Sequence, residues 1–231
     1  MAFFDGRNNS DDDDDESSNN PPNAFVGRPA STEHHFYLSG PILGPEKYTP
    51  WFDFIRNASE NDTIYIHINT PGGHLSSTIQ FLRVLSETKA FVIGSVEGYC
   101  MSAGTIIFLK CHAFQVSEHS MFMFHNYSGQ ALGKGGEMFE QVTFEKSWSK
   151  NFMLDIYKDF LTDAEIESLL DNKDLWLTAD EVGVRLTNKL EQAKKRFENM
   201  EMQIESHSIG SPKIPVKRPA KKAVKKAVKK K

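Results

Sequence analysis

The chain has 231 residues and a formal net charge of −4 at pH 7, enough length for one domain of ordinary size with a buried core. No stretch is long and apolar enough to cross a membrane. An acidic run stands where a secretory leader would need a positive start and an apolar centre. Two cysteines, Cys100 and Cys111, both in apolar sequence, are too few for a disulfide framework and point to a reducing cytoplasm.

The net charge hides an asymmetry. Residues 1–34 carry Asp5, Asp11 to Asp15, Glu16 and Glu33 against Arg7 and Arg28, while residues 211–231 carry ten Lys/Arg and no acid. Neither end has enough large apolar groups to offset the entropy of ordering. The reading is an acidic disordered arm over 1–34, a folded domain over 35–195 and a Lys-rich flexible tail over 196–231. The tail reads either as a solvated extension or as a dock for an acidic partner or nucleic acid.

In chain order, Phe36-Tyr-Leu38 predicts a short strand turned by Ser39-Gly-Pro41. Tyr48 to Arg56 predicts a helix, with Pro50 acceptable in its first turn and Trp51, Phe54 and Ile55 at helical spacing. Thr63 to Asn69, with isoleucines at 64, 66 and 68, is the clearest strand. It ends in the turn Thr70-Pro-Gly-Gly73, and a helix follows with Leu75, Ile79, Leu82 and Leu85 on one face. Strands are predicted over Phe91–Val96, Ala113–Val116 and Ser120–His125, with a helix starting near Ser102. A Gly-rich break (Gly129, Gly133, Gly135, Gly136) precedes a long helix from about Glu137 to Phe160. Its apolar residues exceed what one core covers, which suggests packing against another subunit. Capping boxes at Thr162–Glu165 and Thr178–Glu181 start two short helices. Alternating strands and helices predict an α/β domain with largely parallel pairing.

Acyl-transfer chemistry needs a nucleophile, a base, a group orienting the base and donors aimed at the oxyanion. Ser102 heads the segment Ser102-Ala-Gly104, His125 ends a strand and Asp174 lies in a loop before a helix. Each has a plainer reading too: a helix cap or close-packing serine, a histidine closing an apolar strand, an exposed loop acid. No Cys/His cluster has zinc-ligand spacing, and His34, His35, His67 and His74 read as surface or linker histidines, so no metal site is predicted. No phosphate-binding Gly-Lys-Ser/Thr loop is present, so no cofactor is predicted and any ATP would be used by a partner.

Asn69-Thr-Pro-Gly-Gly73, Met101-Ser-Ala-Gly104, Met123-Phe-His125 and Lys173-Asp-Leu-Trp-Leu-Thr-Ala-Asp-Glu181 together resemble the Clp protease proteolytic subunit, ClpP, over roughly residues 36–190. The resemblance implies a ClpP/crotonase-like fold of repeated β-β-α units with a protruding handle helix. It implies a serine endopeptidase with Ser102 as nucleophile, His125 as base then acid and Asp174 orienting the imidazole. The backbone N–H groups of Gly73 and Ala103 would form the oxyanion hole. It further implies stacked heptameric rings meeting through the long helix, an AAA+ unfoldase feeding unfolded polypeptide, and a substrate-strand edge at Gly129, Gly133 and Gly135. Several positions depart from the family's pattern: Cys100 and Met101 before the serine, Asn126-Tyr127 after the histidine, Lys173 in place of an arginine, and both tails. These departures also admit a peptidase working without an unfoldase, such as a viral capsid-maturation protease, or a silent structural ring subunit.

Overall fold

The computed structural model describes residues 31–209. The acidic arm up to residue 30 and the basic run after residue 209 lie outside the described residues.

Among the described residues six strands form one sheet: β1 (Glu33–Ser39), β2 (Thr63–Thr70), β3 (Phe91–Met101), β4 (Ala113–Val116), β5 (Met121–Phe124) and β6 (Leu175–Thr178). The order is β1-β2-β3-β5-β6, with β4 also beside β3. Strand β3 is long enough to hand its edge over: Ile93 to Val96 pair with β4, and Tyr99 to Met101 pair with β5. All pairings are parallel except β5 with β6.

The strands alternate because their side chains do. In β2, Ile64, Ile66 and Ile68 are fully buried while Tyr65, His67 and Asn69 face outward. Each such isoleucine stabilises by about 1.5–3 kcal/mol. Their face joins Leu38, Val92, Val96, Cys100, Phe122 and Phe124 in the core. Helices α1 (Thr49–Asn57), α2 (Leu75–Glu87) and α3 (Ala103–Leu109) contribute to that core through Phe52, Ile55, Phe81, Val84, Ile107 and Phe108, and the later helices add Met153, Tyr157, Ile166, Leu169, Val182 and Leu186. The opposite sheet face leaves Tyr37, Tyr99, Met121 and Trp176 exposed.

Several elements differ from the sequence expectation. In α2 the buried side is Ser77, Thr78, Phe81, Val84 and Leu85, and Ile79 is exposed. The two hydroxyls are tolerated inside because Ser77 donates to the Leu43 carbonyl and Thr78 to that of His74. The long helix α4 (Gly135–Tyr157) fully buries Ser149, Met153 and Tyr157, with Phe152 and Ile156 partly buried against the core. Its outer part leaves Phe139, Val142 and Phe144 exposed. Helix α5 (Asp163–Leu170) begins at the predicted capping box, with the Thr162 hydroxyl and the Glu165 carboxylate each taking a backbone N–H from the other residue. The second box is also formed, between Thr178 and Glu181, but helix α6 (Ala179–Ile209) is not short. It continues past residue 195, where the tail was expected to begin, and Arg196 forms a bidentate pair with Asp159 at 2.7 and 3.0 Å. Among the described residues no helix is long and apolar enough to cross a membrane.

Candidate active site

Three strand ends converge at one end of the sheet. Strand β2 runs into the turn Thr70–Gly73, β3 into Ser102, and β5 into His125. Parallel pairing brings these ends together, so residues far apart in sequence share one cleft.

The turn after β2 is fixed from both sides. The Thr70 hydroxyl donates to the Gly40 carbonyl at 2.6 Å and accepts from the Gly72 N–H at 3.1 Å. Ile42 N–H donates to the Gly72 carbonyl, and His74 N–H to that of Ile42. Gly72 has φ +95°, and a Cβ there would lie 2.6 Å from the Ser102 Cβ and 2.8 Å from the Met101 carbonyl oxygen. At Gly73, φ +149°, a Cβ would lie 2.3 Å from the Ile42 oxygen. Both glycines are therefore required by space as well as by backbone conformation.

Ser102 sits between β3 and α3 with φ 53° and ψ −124°, angles that glycine usually takes at the first central position of a type II′ turn. Holding a serine there stores roughly 1–3 kcal/mol of strain. Three contacts over-determine it. Its N–H donates to the Met123 carbonyl at 2.7 Å, and its carbonyl accepts from the Thr105 N–H at 3.0 Å and from the Thr105 hydroxyl at 2.6 Å. Thr105 also meets the Tyr157 hydroxyl of α4 at 2.7 Å in the buried interior. Because the Thr105 proton is directed to Ser102, the Tyr157 O–H is the donor in that pair. Burial pushes the Tyr157 phenol well above its ordinary pKa, so it stays a donor across the working range of pH.

The Met123 contact aligns β5 so that His125, two residues on, reaches the serine. His125 Nε2 lies 2.6 Å from Ser102 Oγ, within hydrogen-bond reach for proton transfer. Both side chains are partly exposed, open to a ligand. The N–H groups of Gly73 and Ala103 have no acceptor within the described protein, and both residues line the same cavity as Ser102 and His125. This cavity has a volume of about 410 Å³ and an apolar wall made by Ile106, Trp148, Phe152 and Met153.

Asp174 occupies a different position from the one expected. It precedes strand β6, not a helix. The antiparallel register pairs Phe124 with Leu175, so His125 and Asp174 are the next residues off the same end of that ladder. Asp174 is exposed, and no hydrogen bond or ion pair joins it to His125 in this structure. The neighbouring link is instead Asn126 Nδ2 to Asn172 Oδ1 at 3.4 Å, with Asn172 in the left-handed region at φ 62°. Of the Gly-rich segment, Gly129 and Gly133 lie in the connection between β5 and α4, and Gly135 is the first residue of α4 rather than part of a strand. Cys100 and Cys111 are both buried and unpaired. Burial pushes the Cys111 thiol up to about 12 and Cys100 well above its ordinary value, which makes both unreactive.

Sequence reasoning missed Gly72, Thr105 and Tyr157 as supports of the serine. The paired glycines of the turn carried a signal for Gly72, whereas nothing in the sequence places Tyr157, fifty-two residues on, against Thr105.

A family model described as Clp protease matches residues 49–183, a span that contains Gly73, Ser102, His125 and Asp174. Comparison with curated proteins gives no match.

Proposed function

The chain belongs to the Clp protease family, a family of peptidases, and from that premise we propose that it is a serine endopeptidase cutting polypeptide at Ser102. The observation that carries this reading is the 2.6 Å contact between His125 Nε2 and Ser102 Oγ beside two unengaged N–H groups. In the proposed reaction His125 Nε2 takes the Ser102 proton as Oγ attacks the scissile carbonyl carbon. The tetrahedral oxyanion accepts from the Gly73 and Ala103 N–H groups, and His125 then returns the proton to the leaving amine. Water repeats the cycle on the acyl-enzyme. The strained serine backbone holds Oγ out in the cleft, so little reorganisation is needed before attack.

Asp174 completes the proposed triad by orienting the imidazole from its Nδ1 side, a role its place at the end of the β5–β6 ladder supports. In the proposed assembly the exposed apolar side of α4 is covered by another copy in stacked heptameric rings. Unfolded chain, delivered by an AAA+ unfoldase in the cytoplasm, adds along the segment containing Gly129, Gly133 and Gly135. The apolar cavity wall favours substrates with an apolar side chain next to the cleaved bond. A second reading, a silent ring subunit, draws on the missing contact between Asp174 and His125. Turnover of fluorogenic peptides by the wild type, Ser102→Ala and Asp174→Asn separates the two. The proposal requires wild-type hydrolysis that is lost in Ser102→Ala and reduced by orders of magnitude in Asp174→Asn, whereas no wild-type turnover by an assembled protein supports the silent subunit.

A further inference from the structure

The outward face of the sheet carries a polar row that the peptidase site does not use. His35 on β1, His67 on β2 and Glu97 on β3 form a continuous chain. His35 Nδ1 lies 3.0 Å from His67 Nε2, and His67 Nδ1 lies 2.5 Å from a Glu97 carboxylate oxygen. Two tyrosines hold the rings in place, Tyr65 stacked on His35 at 4.9 Å and Tyr37 on His67 at 4.6 Å, both at 12°. The His67 side chain is only 15 % exposed.

The chemistry of this row is specific. A carboxylate on one imidazole nitrogen fixes the proton there, so Glu97 keeps His67 as the Nδ1–H tautomer and leaves its Nε2 lone pair directed at His35. Two imidazole nitrogens binding one metal ion at about 2.0–2.1 Å, with a tetrahedral angle between them, stand roughly 3.3 Å apart. The two rings are already within a few tenths of an ångström of that spacing.

We infer that His35 Nδ1 and His67 Nε2 form a two-histidine site for a divalent first-row transition-metal ion, with Glu97 orienting His67 from behind. In the metal-free state the two nitrogens share one proton in an N–H···N hydrogen bond. For binding, the His35 proton leaves Nδ1 for its other ring nitrogen, and each lone pair swings roughly 40° off the N···N line to converge on the ion. No three His, Cys, Asp or Glu side chains converge on one point among the described residues, so water completes the coordination shell. The ion would clamp edge strand β1 to β2. Sequence spacing hid this pair because its ligands come from neighbouring parallel strands, His67 opposite Tyr37 and His35 opposite Tyr65.

Titration calorimetry of the full chain with Zn²⁺, Ni²⁺, Co²⁺ and Cu²⁺ tests the inference. One ion per chain should bind, Cu²⁺ tightest and Ni²⁺ tighter than Co²⁺. His35→Ala and His67→Ala should each weaken binding more than tenfold, and Glu97→Gln by about tenfold or more. His34→Ala, on the other face of β1, should leave it unchanged. Circular dichroism confirms that each variant is folded. Nitrogen-15 imidazole spectra provide a second readout, with the His67 Nε2 and His35 Nδ1 resonances moving together on addition of Zn²⁺. No binding by the wild type, or equal binding by the His35→Ala/His67→Ala double variant, overturns the site. Neither result bears on the peptidase reading, since none of these residues borders the cleft.

Discussion

The pair Thr105 and Tyr157 gives a quantitative test of how the fold holds its serine. They are 0 % and 1 % exposed, so neither hydroxyl has water to replace a lost partner. In Tyr157→Phe the Thr105 hydroxyl still donates to the Ser102 carbonyl, and only one hydrogen bond is lost, for about 0.5–1.5 kcal/mol. In Thr105→Val the Tyr157 hydroxyl is left buried without a partner and the Ser102 carbonyl keeps only the backbone donor, for about 1–3 kcal/mol. The double variant has no orphaned hydroxyl, so it should be about as stable as Thr105→Val or more so, with a coupling of about 1 kcal/mol or more. Urea unfolding of the four proteins at one fixed protein concentration measures this, and peptide turnover of the same set should fall more for Thr105→Val than for Tyr157→Phe. Additive losses, or the larger effect in Tyr157→Phe, would refute the donor assignment and the support it gives Ser102.

Ser102→Gly should abolish peptide hydrolysis without lowering stability, because relief of roughly 1–3 kcal/mol of backbone strain offsets glycine's entropy of about 0.5–1 kcal/mol; Ser102→Ala, which keeps the strain, should melt lower than Ser102→Gly in a thermal scan. Gly72→Ala places a Cβ against the Ser102 Cβ and the Met101 carbonyl, and should cost about 2–4 kcal/mol in denaturant unfolding and most of the activity. Glu165 is held at about 2 by its bidentate pairing with Arg185, with the Thr162 cap also contributing. Its folded pKa lies below the unfolded value, so the stability it contributes is complete above about pH 4.5 and is lost as pH falls toward 2. With solvent screening allowed for, that is on the order of 1–2 kcal/mol. Glu165→Gln should flatten this part of the stability–pH curve, and an unchanged slope would show that other carboxylates carry it.

How much was legible in the sequence depended on whether the signal was local. Ile64, Ile66 and Ile68 announced β2 because a period of two needs only neighbours, and both capping boxes could be read because their partners lie three residues apart. The stripe on α2 was misplaced because Ser77 and Thr78 are polar residues buried through carbonyls that only the fold supplies. Strand β6 escaped notice because four residues, Leu175 to Thr178, are too few to show a period before the capping box begins. Helix α6 outran its expected end because Gln192 to Met202 is rich in good helix formers but poor in apolar residues, and the apolar pattern was the guide. In the cleft, motif and resemblance pointed to Ser102, His125, Gly73 and Ala103, which line one cavity. Of the contact partners that position them, Thr105 lies only three residues from Ser102, whereas Met123 is brought in by strand order and Tyr157 by the packing of α4, which no spacing encodes.

The central claim is that Ser102 is a nucleophile activated by His125. Labelling with a fluorophosphonate, read by peptide mass mapping, tests it most directly. A Ser102 nucleophile activated by His125 gives one phosphonylated residue, Ser102, in the wild type, with labelling lost in Ser102→Ala and slowed by orders of magnitude in His125→Ala. Labelling elsewhere, or at an equal rate without His125, would contradict it.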